Sequence, residues 1–207
     1  MLDIKNISGM RGERELFTGL SFTVQPGEAL QISGHNGAGK TSLLQLLTGL
    51  ATPAAGQVCW QGKPLRQQRE TWHRQLLWLG HQAGIKGALT ADENLHFYHP
   101  HASLEVRWQA LAQVSLVGYE DLPAAQLSAG QQRRVALARL WLTDTRYWIL
   151  DEPFTSLDAA GIDTLTLRME QHVAGGGALI LTTHQPLRPL SVPLRTLMLS
   201  EFETVTP

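Results

Sequence analysis

An α/β core interrupted by a helical insertion is the fold class that this sequence predicts, and three observations predict it. The run Ala29-Leu30-Gln31-Ile32-Ser33 reads as a buried strand and enters a glycine-rich loop that opens a helix. Residues 147–150 and 178–183 are apolar enough to be fully buried strands. Between these strands, from 84 to about 142, the texture is helical. Strands that resume after a helical block mark that block as an insertion into an α/β core.

Each element follows from its own pattern. Residues 2–7 and 20–24 alternate apolar and polar side chains, as half-buried antiparallel strands do. Pro26-Gly27-Glu28 makes the turn into the strand over 29–33. The spacing predicts a helix over 40–50, a loop over 51–56, and a short strand over 57–61 closed by Gly62-Lys63-Pro64. A strand over 75–80 delivers Gln82 at its carboxyl end. In the helical block, residues 90–99 form one helix, with Thr90 as N-cap and Glu93 at capping-box spacing; residues 104–117 form another. Ser128 and Gln131 repeat the capping-box spacing before a long apolar-periodic helix. Gly175-Gly176-Gly177 turns into the last buried strand.

The loop after the first buried strand reads Gly34-His35-Asn36-Gly37-Ala38-Gly39-Lys40-Thr41, followed by Ser42. It fits the phosphate-binding pattern of two glycines, Gly34 and Gly39, with four residues between them, followed directly by Lys-Thr. A loop that wraps a polyphosphate must turn tightly and bring backbone amides to phosphate oxygens, and glycine permits both. Lys40 places a compact positive charge on the terminal phosphates, and the Thr41 hydroxyl can ligate magnesium. The helix that follows points its positive end at the anion. The chain binds a nucleoside triphosphate on this reading.

Composition bounds the partners. The 207 residues suit one domain, or one core with an inserted subdomain. A net charge of -1 gives no general attraction to nucleic acid, and no Lys/Arg run supplies a local one. The single cysteine, Cys59, excludes an internal disulfide and a Cys-x-x-Cys-His haem attachment site. The absence of a signal peptide and of a long apolar run predicts a cytoplasmic protein, or one docked on the cytoplasmic side of a membrane partner.

Two further stretches acquire meaning beside the loop. Tyr147-Trp148-Ile149-Leu150-Asp151-Glu152 is an apolar strand ending in two acids. Alone that is an ordinary strand exit; in a phosphate-loop protein the Asp organises magnesium and the Glu polarises a water. Leu127-Ser128-Ala129-Gly130-Gln131 is a well-capped helix start on its own. Its hydroxyl, bare glycine amide and helix N-terminus also make a second anion site.

The order of phosphate loop, Gln82, Leu-Ser-Ala-Gly-Gln, Ile149-Leu150-Asp151-Glu152-Pro153, Ser156-Leu157-Asp158 and His184 resembles the ATP-binding cassette (ABC) ATPases from end to end. That resemblance implies a P-loop NTPase fold with a RecA-like core, an antiparallel β subdomain and a helical insertion of about 84–142, in one domain over 1–207. It implies ATP and Mg2+ as ligands. Gln82 is similar to the lid glutamine that reaches magnesium and senses the membrane partner. Ser128, Gly130 and Gln131 are similar to the signature that closes on ATP held by the opposite subunit. Asp151 matches the magnesium-organising aspartate, Glu152 the catalytic base, Asp158 the aspartate at the dimer interface, and His184 the switch histidine at the γ-phosphate. One copy of each motif then requires a head-to-tail homodimer to build two complete sites. Two positions depart from the pattern: Ala129 replaces a glycine, and no aromatic stands near Met10-Arg11-Gly12 to stack on adenine. Arg11 can stack its guanidinium there instead.

Three stretches, 77–82 with 84–86 and 93–95, then 127–141, and 148–158 with Thr182-Thr183-His184-Gln185, more particularly resemble the ATP-binding subunits of the bacterial cytochrome c maturation system, the haem exporter family. That implies a CcmB-like integral membrane permease as partner, an indirect link to haem chaperone machinery, and a peripheral place on the cytoplasmic face of the inner membrane. The competing readings are a soluble ABC-type ATPase acting on a ribosome or nucleic-acid assembly, and the ATPase of a transporter for another substrate. Neutral charge and the lack of a second cassette or a long coiled-coil insertion count against the first. His96, His99 and His101 invite a metal or haem role, but an exposed helix end with cations near its C-terminal dipole is the reading adopted. Arg133-Arg134 is read as a solvated or interface-facing pair.

Overall fold

The computed structural model describes residues 1–184 and 190–199. Its strands are β1 (Leu2–Arg11), β2 (Arg14–Val24), β3 (Ala29–Ser33), β4 (Ala55–Trp60), β5 (Lys63–Pro64), β6 (Leu76–Leu79), β7 (Tyr147–Asp151), β8 (Ala178–Thr182) and β9 (Leu194–Met198). The α-helices are α1 (Lys40–Thr48), α2 (Arg69–Arg74), α3 (Ala91–Tyr98), α4 (Leu104–Gln113), α5 (Ala129–Ala138) and α6 (Ala159–Ala174). The chain gathers into two compact units.

The first unit comprises Met1–Trp78, Thr145–Asp151 and His172–Pro207. It holds an antiparallel sheet in the order β2-β1-β4-β5 and a second sheet in the order β6-β7-β8-β3-β9. In the second sheet β7, β8, β3 and β9 pair in parallel. Every residue of β7 and β8 is buried, which explains their unbroken apolar sequence: a central parallel strand is covered on both faces. Leu2, Ile4 and Leu20 from the antiparallel sheet share one core with Leu43, Leu44 and Leu47 of α1 and Ile32, Ile149 and Ile180 of the parallel sheet. That core clamps α1, and the loop at its N-terminus is thereby held at the carboxyl end of β3. Gly49, at positive φ, closes α1 with its amide bonded back to the last turn, so the helix is shorter than the expected 40–50.

The second unit comprises Leu79–Asp144 and Glu152–Gln171. Ala91, Leu95, Ala110, Leu111, Leu116, Leu127 and Val135 form its core. Both expected capping boxes form, at Thr90 with Glu93 and at Ser128 with Gln131. Asp92 and Arg107 join α3 to α4 by two parallel bonds, Nε to Oδ1 and Nη2 to Oδ2, both 2.8 Å. Asn94, fully buried, accepts from the Lys86 amide and donates to the carbonyls of Lys86, Leu89 and Thr90, fastening the segment after Gln82 to α3.

The structure differs from expectation in several elements. The helix expected over 104–117 stops at Gln113, where Ser115 and Gly118 adopt positive φ. The elements α2, α6 and β9 lie outside those expected from sequence pattern. The histidine patch is mixed in character: His96 and His101 are exposed, while His99 is half-buried with its Nε2 enclosed and without a partner. Desolvation first, then the nearby Arg139 charge, lowers the His99 pKa to about 4. His99 is therefore neutral at pH 7 and is not one of the cations expected at that helix end.

Candidate functional site

The phosphate loop joins β3 to α1 in the first unit. Gly34, Gly37 and Gly39 have φ of 154°, 90° and 95°. At Gly39 a Cβ would lie 3.0 Å from the Leu16 Cβ, so both dihedral and space demand glycine. Ala38 is buried, whereas His35, Asn36 and Gly37 face solvent and Ser42 is half-buried in the first turn of α1. The His35 ring nitrogen Nδ1 lies 2.8 Å from the Asn36 carbonyl. The Lys40 ammonium folds over the loop and donates to the carbonyls of Gly34 at 2.7 Å and His35 at 3.1 Å. It is 8% exposed, so its charge is held at the mouth of the loop.

The Thr41 hydroxyl donates to Asp151 Oδ2 at 2.8 Å. The Thr182 hydroxyl donates to Asp151 Oδ1 at 2.6 Å. Asp151 is 2% exposed, and these two bonds satisfy one lone pair on each oxygen. Thr182 is the functional neighbour that the sequence reading missed. The signal was the parallel register Asp151↔Thr182 across β7 and β8, and register is not printed in a single strand. The Thr41–Asp151 pair offers hard oxygen donors of the kind magnesium prefers, so the residues present fit that ion. His184 is exposed just after β8; Gln185, the end of that motif, lies outside the described residues. Arg11 is exposed at the β1–β2 turn.

The second unit carries the other residues. Ser128 is the exposed N-cap of α5; its hydroxyl accepts from the Gln131 amide, and the Gln131 side chain accepts from the Ser128 amide. A Cβ on Gly130 would meet nothing closer than Ser156 Cβ at 3.5 Å, an ordinary contact. Neither space nor a positive φ within this chain demands glycine there. Asp158 is exposed and accepts from the Gly161 amide at 2.9 Å, and Arg134 lies 3.3 Å from its other oxygen. The amide bond, aided by Arg134, holds the Asp158 carboxyl below the usual carboxylate range. Gln82 is exposed in the turn after β6. Glu152 is half-buried with φ of 50°, a left-handed conformation for a residue with a Cβ.

Arg133 corrects the sequence reading. It is buried, 6% exposed, and donates to the carbonyls of Gly80 at 2.6 Å and Glu152 at 3.1 Å. Helical periodicity alone assigns a long charged side chain to the solvated face; a cluster of backbone carbonyls that needs a donor is invisible to it.

A family model described as ABC transporter matches residues 17–155. The chain is 58% identical over 205 residues, 99% of each chain, to the cytochrome c biogenesis ATP-binding export protein CcmA of Escherichia coli O157:H7. Its fold is similar to a putative ABC transporter ATP-binding protein from Pyrococcus furiosus, with a TM-score of 0.82, 20% identity, and 98% and 99% of the two chains covered. It is also similar to the dimeric ATP-binding cassette MJ0796 bound to ADP and Pi, with a TM-score of 0.78, 23% identity, and 89% and 88% covered. A phosphate loop, a threonine–aspartate pair beneath it and this end-to-end similarity have one meaning: the chain belongs to the ABC transporter family, as an ATP-binding, ATP-hydrolysing subunit.

Proposed function

We propose that two copies of the chain bind two ATP molecules head to tail, each held by the phosphate loop of one copy and by the Ser128 helix end of the other. Hydrolysis energises a CcmB-like membrane permease in c-type cytochrome biogenesis, in haem handling or export, at the cytoplasmic face of the inner membrane. The single observation that carries the chemistry is the Thr41–Asp151 bond beside the Lys40 loop. The 58% identity over nearly the whole chain to an export protein of cytochrome c biogenesis supports the narrower role. Among the described residues no helix is long and apolar enough to cross a membrane, so the transport path is assigned to the partner.

Amides of residues 34–42 and the Lys40 ammonium bind the phosphates, and Arg11 stacks on the base. Thr41 and Asp151, with Gln82, would hold magnesium, which when bound supplies further positive charge to the triphosphate. Glu152 orients and deprotonates the attacking water, worth about 10²–10⁴ in rate for a well-placed base. His184 contacts the γ-phosphate. Ser128, Gly130 and Gln131 close on the phosphates from the second copy, and Asp158 lies at the dimer interface. The whole chain serves as one ATPase domain, with the segment of about 84–142 as a helical subdomain facing the permease. The test is phosphate release by purified protein: Glu152→Gln retains ATP binding and loses turnover, and normal steady-state hydrolysis by that variant removes the base assignment. Fractionation tests the narrower role, since the subunit should sediment with membranes only when the permease is present.

A further inference from the structure

Glu152 is held in a conformation that costs free energy in isolation. A residue with a Cβ at φ of 50° persists only where its surroundings over-determine it. The Glu152 carbonyl accepts from the Thr155 amide at 3.3 Å and from Nη2 of the buried Arg133 guanidinium at 3.1 Å. The other arm, Nη1, donates to the Gly80 carbonyl at 2.6 Å, two residues before Gln82. The backbone under Arg133 belongs to α5, the helix that begins at Ser128. One planar fork therefore ties three segments together: the helix proposed to close on the partner's nucleotide, the turn bearing Gln82, and the peptide of the proposed base. Arg134, the next residue, adds a second tie from the same helix to Asp158 at 3.3 Å.

We infer that Arg133 is a positioning residue for hydrolysis. It fixes the Glu152 peptide in its left-handed conformation, and with it the aim of the carboxylate, and it passes displacements of α5 or of the Gln82 turn to that peptide. The inference rests on Glu152 being the base. Lysine cannot replace the fork, because an ammonium is a point donor on a flexible stem and cannot span both carbonyls in a fixed plane. The role is distinct from direct nucleotide contact, since Arg133 is buried and its guanidinium donates to backbone carbonyls.

The experiment measures kcat and KM for ATP in Arg133→Lys and Arg133→Met, with ATP-binding stoichiometry counting the folded fraction. Misplacing a catalytic group by about 1 Å costs up to roughly 10²-fold, so kcat per folded molecule should fall about 10- to 100-fold with KM within about two-fold. The loss should be greater in Arg133→Met than in Arg133→Lys. If Arg133→Met does not fold, Arg133→Lys, which keeps the charge and one bond, decides on the same split. Added to Glu152→Gln, either substitution should cause no further loss. Unchanged kcat in the folded variants, or a rise in KM that accounts for the whole defect, overturns the role of Arg133. Normal turnover by Glu152→Gln alone instead overturns the assignment of the base, and the two failures are separable.

Discussion

Thr41 and Asp151 meet through a single 2.8 Å hydrogen bond that joins the first turn of α1 to the end of β7. Thr182 occupies the other carboxylate oxygen. Removing the Thr182 hydroxyl takes a hydrogen bond from a carboxylate that is 2% exposed. A hydrogen bond to a charged group contributes about 1.5–3 kcal/mol. Thr182→Val should therefore lower unfolding free energy by that amount in urea titrations and raise the magnesium concentration needed for half-maximal ATPase activity.

The Asp92–Arg107 pair is a matched test of stability away from nucleotide. Both side chains are nearly buried, and hydrogen bonding to Asp92 raises the Arg107 pKa further above its ordinary value. Breaking one partner of a buried pair costs about 3–5 kcal/mol. Asp92→Ala should show that loss in denaturant unfolding, while ATP binding by the folded fraction stays unchanged.

Two glycines separate folding demand from ligand demand. Gly39→Ala forces a Cβ to 3.0 Å from Leu16 at φ of 95°, so both melting temperature and ATP affinity should fall. Gly130→Ala meets only an ordinary 3.5 Å contact, so its melting temperature should match the parent chain. Its ATP-driven dimerisation should nevertheless fail. Calorimetry and sedimentation on the two variants check the contrast.

Acid stability has a defined sign at His99. Its folded pKa is about 4, below the ordinary histidine value, so the unfolded chain takes up the proton first. The resulting stability is fully present above about pH 6.5 and is lost as pH falls towards 4. His99→Gln should flatten the fall in melting temperature between those limits, read by scanning fluorimetry across the pH range.

Much of this molecule was legible because its signals are local. The strand over 29–33, both capping boxes and the acids ending β7 are written in contiguous residues, and each forms where expected. What stayed hidden depends on partners distant in sequence. Thr182 matters through parallel register with Asp151, Arg133 through carbonyls at Gly80 and Glu152, and His99 through burial beside Arg139. The half-exposed β9 lacks a strong period of its own and is held by its parallel pairing with β3.

On the proposed reading, ATP is trapped between the loop of one copy and the Ser128 helix of another. Sedimentation velocity of the Glu152→Gln protein, with and without ATP, tests it most directly. A monomer is expected without nucleotide, a dimer at saturating ATP, and no dimer when Ser128→Arg is added although ATP still binds. A Glu152→Gln protein that stays monomeric at saturating ATP, or that dimerises equally well with Ser128→Arg, contradicts it.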